Sequence, residues 1–226
     1  MGGTPTPIRG LSVLIDWVTA RVPLMRFSDA DHAKLRLLGD RIQRFNPQTG
    51  EVSWETSAWD SIRSDSHALS YRCGSDAFWL QGSPARCMGS GDAVFGSGAS
   101  AALDLSGCVE RMRDFIFNLL QVSCPSVKQF QVSRVDVTQN LLLPSLADVR
   151  VALAVLRNCE GGRYRVSQQA GDTVYWGGKS RLMRGKAYAK GPHLTYLTRK
   201  KDYEGVRYTE QALALANFLL RLECTI

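Results

Sequence analysis

Alternating apolar and polar positions predict β-strands along much of the chain. Successive side chains of a strand point to opposite faces, so this alternation indicates a sheet with one buried face. The predicted strands are residues 12–22, 54–59, 67–73, 77–80, 129–137, 172–176, 183–190 and 218–226. A turn at 177–180 would join two of them, 172–176 and 183–190, into an antiparallel hairpin.

Apolar residues spaced three or four apart predict helices between these strands. Residues 107–120 form one such segment, and residues 209–217 form another. A third helix is expected to begin at Ser145, which follows Pro144 and precedes Asp148 by three residues. The order predicts an α+β fold in which helices cover one face of a central antiparallel sheet and the other face stays open. We expect a single domain over 11–226, after a flexible Gly- and Pro-rich leader at 1–10.

Four of the predicted strands carry ionisable residues on one face and mainly small or apolar residues on the other. In VSRVDVT, for example, Arg134 and Asp136 share one face and Val135 and Val137 share the other. If the apolar faces pack on helices, the polar faces together line the open side of the sheet. The residues concerned are Asp16, Arg134, Asp136, Lys186, Tyr188, Lys190, Arg221 and Glu223.

The acidic residues of this face suggest a site for a divalent cation. Asp16, Asp136 and Glu223 supply the carboxylate oxygens that Mg²⁺ and Mn²⁺ prefer. Arg134 and Arg221 would offset these charges or hold phosphate groups. The alternative is that the acids and arginines form ordinary cross-strand salt bridges.

The segment RGKAYAKG places Tyr188 between Lys186 and Lys190, with only alanine methyl groups on the opposite face. A tyrosine has a pKa near 10 and is a poor nucleophile at neutral pH, but two flanking lysines would favour its phenolate. A phenolate beside a metal-bound phosphodiester could form a phosphotyrosyl ester. The alternative is a tyrosine lying on the sheet with the lysine side chains extended towards water.

The positive charge is concentrated in one part of the chain. The net charge is +7, and residues 157–208 hold twelve Lys or Arg against four Asp or Glu. A local basic excess indicates a polyanionic partner, and a solvated basic surface is the alternative. Basic residues at the hairpin would hold backbone phosphate, while Trp176 or Tyr175 would stack an unpaired base. The hairpin residues are Lys179, Arg181 and Arg184.

Several protein classes are disfavoured by what the sequence lacks. No apolar stretch reaches the roughly 18–20 residues that a membrane helix needs, and the first ten residues do not resemble a secretory signal. The six cysteines include no CxxC pair. GGKS at 177–180 lacks the upstream glycine of a phosphate-binding loop, so no nucleotide cofactor is expected. The three histidines, at 32, 67 and 193, are isolated and are expected on the surface.

The chain resembles the gene II replication initiators of filamentous phages, within the phage/plasmid replication protein family. The resemblance covers roughly 11–20 and 81–226. It is carried by the order and spacing of LIDWVTARVP, GSPARCMGSGDAVFGS, VSRVDVT, DTVYWGGKSRLMRGKAYAKGP and LLRLE. It implies a nicking–joining endonuclease that starts rolling-circle replication, with an RRM-like palm related to the HUH endonucleases. It also implies Mg²⁺, a host helicase as a partner besides duplex and single-stranded origin DNA, and the cytoplasm of the bacterial host.

The resemblance also implies roles for individual residues. The nucleophilic tyrosine of the family falls at Tyr188, and Asp136 and Glu223 match its metal ligands, with Asp16 as a third candidate. Relatives usually carry Gly-His-Asn where this chain reads Gly-Asp-Ala, so Asp92 would replace that histidine if it is a ligand.

One other function remains open from the sequence, and a second is disfavoured. A non-catalytic single-strand-binding module could use an RRM-like sheet with basic and aromatic residues. Asp136 and Glu223 would then be structural. A tyrosine recombinase or topoisomerase is disfavoured, because those enzymes usually surround the phosphate with arginines and need no metal.

Overall fold

A computed structural model of the chain describes residues 13–63, 68–84, 104–159, 171–178, 180–200 and 208–226. The strands in these ranges are β1 (Leu14–Pro23), β2 (Arg41–Phe45), β3 (Val52–Ser57), β4 (Asp60–Arg63), β5 (Ala68–Cys73), β6 (Ala77–Gly82), β7 (Gln131–Leu142), β8 (Thr173–Trp176), β9 (Arg184–Ala189) and β10 (Leu219–Thr225). The α-helices are α1 (Asp29–Arg36), α2 (Leu105–Leu120), α3 (Leu146–Asn158), α4 (Lys190–Thr198) and α5 (Glu210–Ala216). No helix of these ranges is long and apolar enough to cross a bilayer.

The fold is α+β with a central antiparallel sheet, as the sequence predicts. This sheet has eight strands, while β2 and β3 form a separate hairpin. The described residues divide into two compact units. The first unit comprises 17–63, 68–84 and 104–135, and its strands are ordered β4-β5-β6-β1. The second unit comprises 13–16, 136–159, 171–178, 180–200 and 208–226, and its strands are ordered β7-β10-β9-β8.

The first unit has an aromatic core between α2 and one face of its strands. The rings of Phe27, Phe78 and Phe117 lie 5.1–6.3 Å apart, which suits edge-on and tilted aromatic contacts. Helix α2 begins where the Asp104 side chain accepts a hydrogen bond from the Gly107 backbone amide at 3.0 Å. It ends where Gln121 adopts the left-handed conformation, with φ of 51°.

In the second unit, α3 packs on the strand face that carries alanines. Ala187 and Ala189 lie in one buried cluster with Val149 and Leu153 of α3 and with Leu220 of β10. The methyl side chains let the helix approach the sheet closely, which explains the small residues that alternate with Lys186 and Tyr188. Helix α3 begins as predicted, because the Ser145 hydroxyl accepts a hydrogen bond from the Asp148 amide at 3.1 Å.

Helices α4 and α5 pack on the opposite face of the same strands. Leu194 of α4 and Ala216 of α5 are buried against Leu219, which shares a face of β10 with Arg221. Gly191 makes the close approach possible, since a β-carbon there would lie 2.1 Å from Asn217 Oδ1. The polar face is therefore partly covered by helices, whereas the sequence predicted helices on one face only.

Most predicted elements are present, and the main differences lie within 28–70 and at the junction of β9 and α4. Helix α1 and strands β2 and β4 lie within 28–70, where the sequence shows no consistent periodicity. Helix α4 was missed because strand alternation continues through Lys190, which in the structure is the first residue of that helix. The strand predicted to end at Lys190 therefore ends at Ala189. The leader and most of the 81–100 loop lie outside the described residues, and the expected single domain stays a prediction.

Candidate active site

The strand register brings the predicted polar residues onto one face of the second unit. Directly paired residues of antiparallel strands share a face, and two such rows cross β7, β10 and β9. The rows are Asn140–Arg221–Tyr188 and Thr138–Glu223–Lys186. Asp136 continues this face of β7, and Asp16 reaches it through Arg221, whose Nη1 lies 3.5 Å from Asp16 Oδ2. We call these charged and phenolic residues the Tyr188 cluster: Asp16, Asp136, Lys186, Tyr188, Lys190, Arg221 and Glu223.

Tyr188 is buried among polar groups. Its side chain is 4% exposed, its hydroxyl donates a hydrogen bond to Glu223 Oε2 at 3.5 Å, and its ring centroid lies 4.8 Å from that of His193. Burial raises the pKa of the Tyr188 phenol. The positive charge of Arg221 partly offsets this rise, and the negative charge of Glu223 adds to it. The expectations of an open-face tyrosine and of a net shift towards phenolate are therefore wrong, because α4 covers the ring and burial outweighs the nearby cations.

Glu223 is the residue that links the phenol to a cation. Lys186 Nζ lies 2.7 Å from Glu223 Oε1, while the other carboxylate oxygen accepts from Tyr188. The Lys186 ammonium also lies 5.1 Å from the centroid of the Tyr188 ring, within cation–π range. Both oxygens of Glu223 are thus engaged, and its carboxylate can orient the phenol and receive its proton.

Arg221 is held rigidly at the centre of the first row. Its Nε donates to Asn140 Oδ1 at 2.9 Å, and both residues are almost fully buried. The buried Asn140 amide was not identified from the sequence, although it follows Asp136 and Thr138 in the same alternation. A guanidinium fixed in this way can hold a phosphate oxygen without reorganising.

Lys190 and His193 approach the cluster from α4. Lys190 is 5% exposed, and burial together with the positive charge of Arg221 lowers its pKa to about 7, although Asp16 and Glu223 act in the opposite direction. Burial and the neighbouring cations, Lys190 first among them, lower the pKa of His193 to about 4. The expectation of a surface histidine is wrong here, because His193 packs on the Tyr188 ring as a neutral imidazole.

Asp136 and Glu223 supply carboxylate oxygens that a hard cation prefers, but Asp136 is buried and Glu223 is engaged by Lys186 and Tyr188. Across β7 and β10, Asp136 pairs with Thr225 and Glu223 pairs with Thr138. The two acids are therefore diagonal neighbours on the same side of the sheet. Mg²⁺ is commonly held by one or two carboxylates plus water. Asp16 is engaged by Arg221, and among the described residues no group of three His, Cys, Asp or Glu could hold a metal ion. Asp136 and Glu223 therefore stay the predicted metal ligands of this face.

The predicted DNA-binding residues are distributed over several surfaces. Arg181 and Arg184 are exposed, and Arg184 shares a face with Lys186 through its pairing with Thr225. Trp176 pairs with Gly185 and packs against the α3 core, on the face opposite Tyr188, and its role in stacking an unpaired base stays a prediction.

The other aromatic candidate lies on the Tyr188 side of the sheet, whereas the remaining predicted residues do not lie in the described part of the second unit. Tyr175 pairs with Lys186 and is 46% exposed on the Tyr188 side. Arg134 is an exposed residue of the first unit. Lys179 and Asp92 lie outside the described residues.

Comparisons with known proteins identify similar chains. A family model described as "Replication-associated protein G2P N-terminal" matches residues 14–226. Among solved structures, the chain is similar to a rolling circle replication initiator protein from Geobacillus stearothermophilus, with 10% identity and a TM-score of 0.38. That alignment covers 96% of this chain and 74% of the other. No match was found among curated proteins.

Proposed function

The chain belongs to the replication-associated protein G2P N-terminal family of phage and plasmid replication initiators, and on that premise we propose that it nicks and rejoins one strand of origin DNA. The covalent link forms between Tyr188 and the 5′ phosphate of the cut strand. The observation that supports this assignment is the hydrogen bond from the Tyr188 hydroxyl to Glu223, beside the buried Arg221 guanidinium.

The proposed chemical step uses the groups of the Tyr188 cluster. The phenolic oxygen attacks the scissile phosphorus, and the bond from phosphorus to the 3′ oxygen breaks. The phenolic proton passes to Glu223 Oε2, its hydrogen-bond acceptor in the structure. The leaving 3′ oxygen takes a proton from solvent water and becomes a 3′ hydroxyl. Attack of a 3′ hydroxyl on the phosphotyrosine reverses these transfers and rejoins the strand.

Positive side chains of the cluster stabilise the phosphate as charge develops on it. Arg221 is fixed by Asn140 and Asp16, so its donors need no reorganisation during the step. Lys186 is more accessible, with 32% of its side chain exposed, and it can move from Glu223 to a phosphate oxygen. Arg184 and Tyr175, exposed on the same face, would hold the DNA strand next to the reacting phosphate.

We further propose that Asp136 and Glu223 hold Mg²⁺ or Mn²⁺. A bound divalent ion would polarise the phosphodiester and help to orient it. Lys186 would have to release Glu223 Oε1 for the ion to bind there. Asp16 is assigned instead to positioning Arg221, while Asp92 stays a predicted ligand and a host helicase stays a predicted partner.

A comparison of two tyrosine variants tests the nickase assignment. Tyr188→Phe should abolish nicking of supercoiled origin plasmid and formation of the covalent adduct, because the attacking oxygen is missing, while DNA affinity is retained. Tyr196→Phe is the control, since it removes an exposed phenol of α4 that lies outside the Tyr188 cluster, and this variant should still nick. Nicking by Tyr188→Phe at the wild-type rate would refute the assignment.

The burial of Tyr188 favours one alternative, a non-catalytic module that binds single-stranded DNA. A phenol with a raised pKa and 4% exposure is a poor nucleophile unless DNA binding uncovers it. This alternative predicts binding that does not depend on Mg²⁺ and no covalent adduct with any origin substrate.

A further inference from the structure

A row of alternating arginine and tryptophan side chains crosses the first unit. Trp79 of β6 pairs directly with Arg21 of β1 on one side and with Arg72 of β5 on the other. The two guanidinium carbons lie 5.2 and 5.3 Å from the Trp79 ring, and Arg72 also lies 4.8 Å from the ring of Trp59. We call these four residues the Arg–Trp platform. The neighbouring Phe78 packs on Phe117 of α2, so the platform occupies the face away from that helix.

The positive charges of the platform are not neutralised within the part of the chain that the structure describes. Arg21 donates from Nε to the neutral side chain of Gln131 at 3.1 Å, and neither arginine forms an ion pair there with a carboxylate. Arg72 Nε is buried and has no hydrogen-bond partner among the described residues. Two adjacent guanidiniums without a counter-charge form a natural site for an anion.

The next row of the same face is polar and uncharged. Thr19 pairs with Gln81, Gln81 pairs with Ser70, and Ser70 pairs with Ser61 of β4. The two rows thus combine planar aromatic and guanidinium groups with small hydrogen-bonding side chains, and they include no carboxylate. A surface of this composition suits a strand whose phosphates are anionic and whose bases present flat faces.

We propose that the Arg–Trp platform binds single-stranded DNA, with Arg21 and Arg72 each contacting a backbone phosphate and unpaired bases stacking on the planar groups. The inference rests on the proposed function for the identity of the polyanion as DNA. A single strand is favoured over a duplex because base faces are accessible for stacking only when they are unpaired. The platform would hold DNA through residues distinct from those of the Tyr188 cluster.

The salt dependence of binding to a fluorescent oligothymidylate tests the platform. Neutralising one phosphate contact on a single strand changes the slope of log K against log salt by about 0.7. The double variant Arg21→Gln/Arg72→Gln should therefore make this negative slope shallower by about 1.4. Arg26→Gln/Arg44→Gln is the matched control, because it removes the same charge from exposed positions of the same unit. It should change the slope by less than half as much.

Further variants keep the inference falsifiable. If the glutamine double variant fails to fold by circular dichroism, Arg21→Lys/Arg72→Lys keeps the charge but loses the planar group. It should preserve the slope while weakening affinity at every salt concentration. The assignment would be overturned if the platform and control variants gave equal slopes. It would also be overturned if the platform variants lost as much affinity for blunt duplex DNA as for oligothymidylate. If the platform variants change the slope as predicted but the wild-type protein forms no tyrosine adduct with origin DNA, only the proposed nicking activity is rejected.

Discussion

Tyr188 and Glu223 lie on neighbouring strands of one sheet face, and the phenolic hydroxyl is 3.5 Å from Glu223 Oε2. The same carboxylate binds Lys186 through its other oxygen at 2.7 Å. Glu223 is therefore placed to control both the direction of the phenol and the destination of its proton. The other residues of the cluster act around this pair, with Arg221 as a buried cation and Lys190 as a buried amine whose pKa is about 7.

Replacing Glu223 by Gln should slow the chemical step without abolishing DNA binding. The amide oxygen still accepts a hydrogen bond, but it is far less basic than a carboxylate and cannot pair with Lys186. Loss of a positioned proton acceptor typically costs about 10²–10⁴-fold in rate. Single-turnover adduct formation at saturating DNA measures this step. A rate within threefold of the wild type would exclude Glu223 as the proton acceptor.

Metal binding is expected to depend on Asp136 as well as Glu223. Mg²⁺ should raise the melting temperature of the wild-type protein, because a ligand that binds only the folded state stabilises it. Asp136→Asn should lose most of this increase, while Asp29→Asn, at an exposed position on α1, should keep it. Thermal denaturation with and without Mg²⁺ provides the measurement. An unchanged Mg²⁺ effect in Asp136→Asn would contradict the proposed ligand pair.

The buried Lys190 predicts a rise in stability at alkaline pH. Its pKa is about 7 in the folded protein against a usual value of 10.5. The unfolded chain therefore binds more protons between these values, and the free energy of unfolding should increase as the pH rises through this window. Lys190→Met should lack this contribution. Denaturant titrations from about pH 6.5 to 9.5 compare the two proteins, and parallel pH profiles would show that Lys190 keeps its ordinary pKa.

Gly191 should be intolerant of a side chain because α4 begins against Asn217. An added β-carbon would lie 2.1 Å from Asn217 Oδ1 and 2.8 Å from its backbone nitrogen. Because the second contact involves backbone, Gly191→Ala should lower the free energy of unfolding by about 1–3 kcal/mol. Gly178→Ala is the control, since nothing lies within 4 Å of the point that its β-carbon would occupy. Equal stability of the two variants in urea would contradict this packing.

The site was predictable where a strand alternates regularly and its register is fixed by neighbours. Five predicted residues share a face because each occupies a polar position in a strand where polar and apolar residues alternate. These residues are Asp136, Arg221, Glu223, Lys186 and Tyr188. Beyond this alternation, only the strand order β7-β10-β9 was needed to place these side chains next to one another.

The covering of that face was not predictable in the same way. Lys190 continues the polar–apolar alternation of β9, but it is the first residue of α4. The sequence around Leu219 does not indicate that α4 and α5 pack on this residue. The burial of Tyr188 and the position of His193 follow from that tertiary contact. The Arg–Trp platform was not identified from the sequence because β1, β6 and β5 each contribute only one arginine or tryptophan to it, so no single strand shows alternating ionisable residues there.

Mass spectrometry of the covalent product tests the central proposal most directly. Wild-type protein would be incubated with Mg²⁺ and a labelled origin strand, digested with protease and nuclease, and searched for a nucleotide-modified peptide. The account predicts one modification, a 5′-phosphate ester on Tyr188 in the peptide that contains AYAK. A modification on a different tyrosine, or strand cleavage without any protein–DNA adduct, would contradict it.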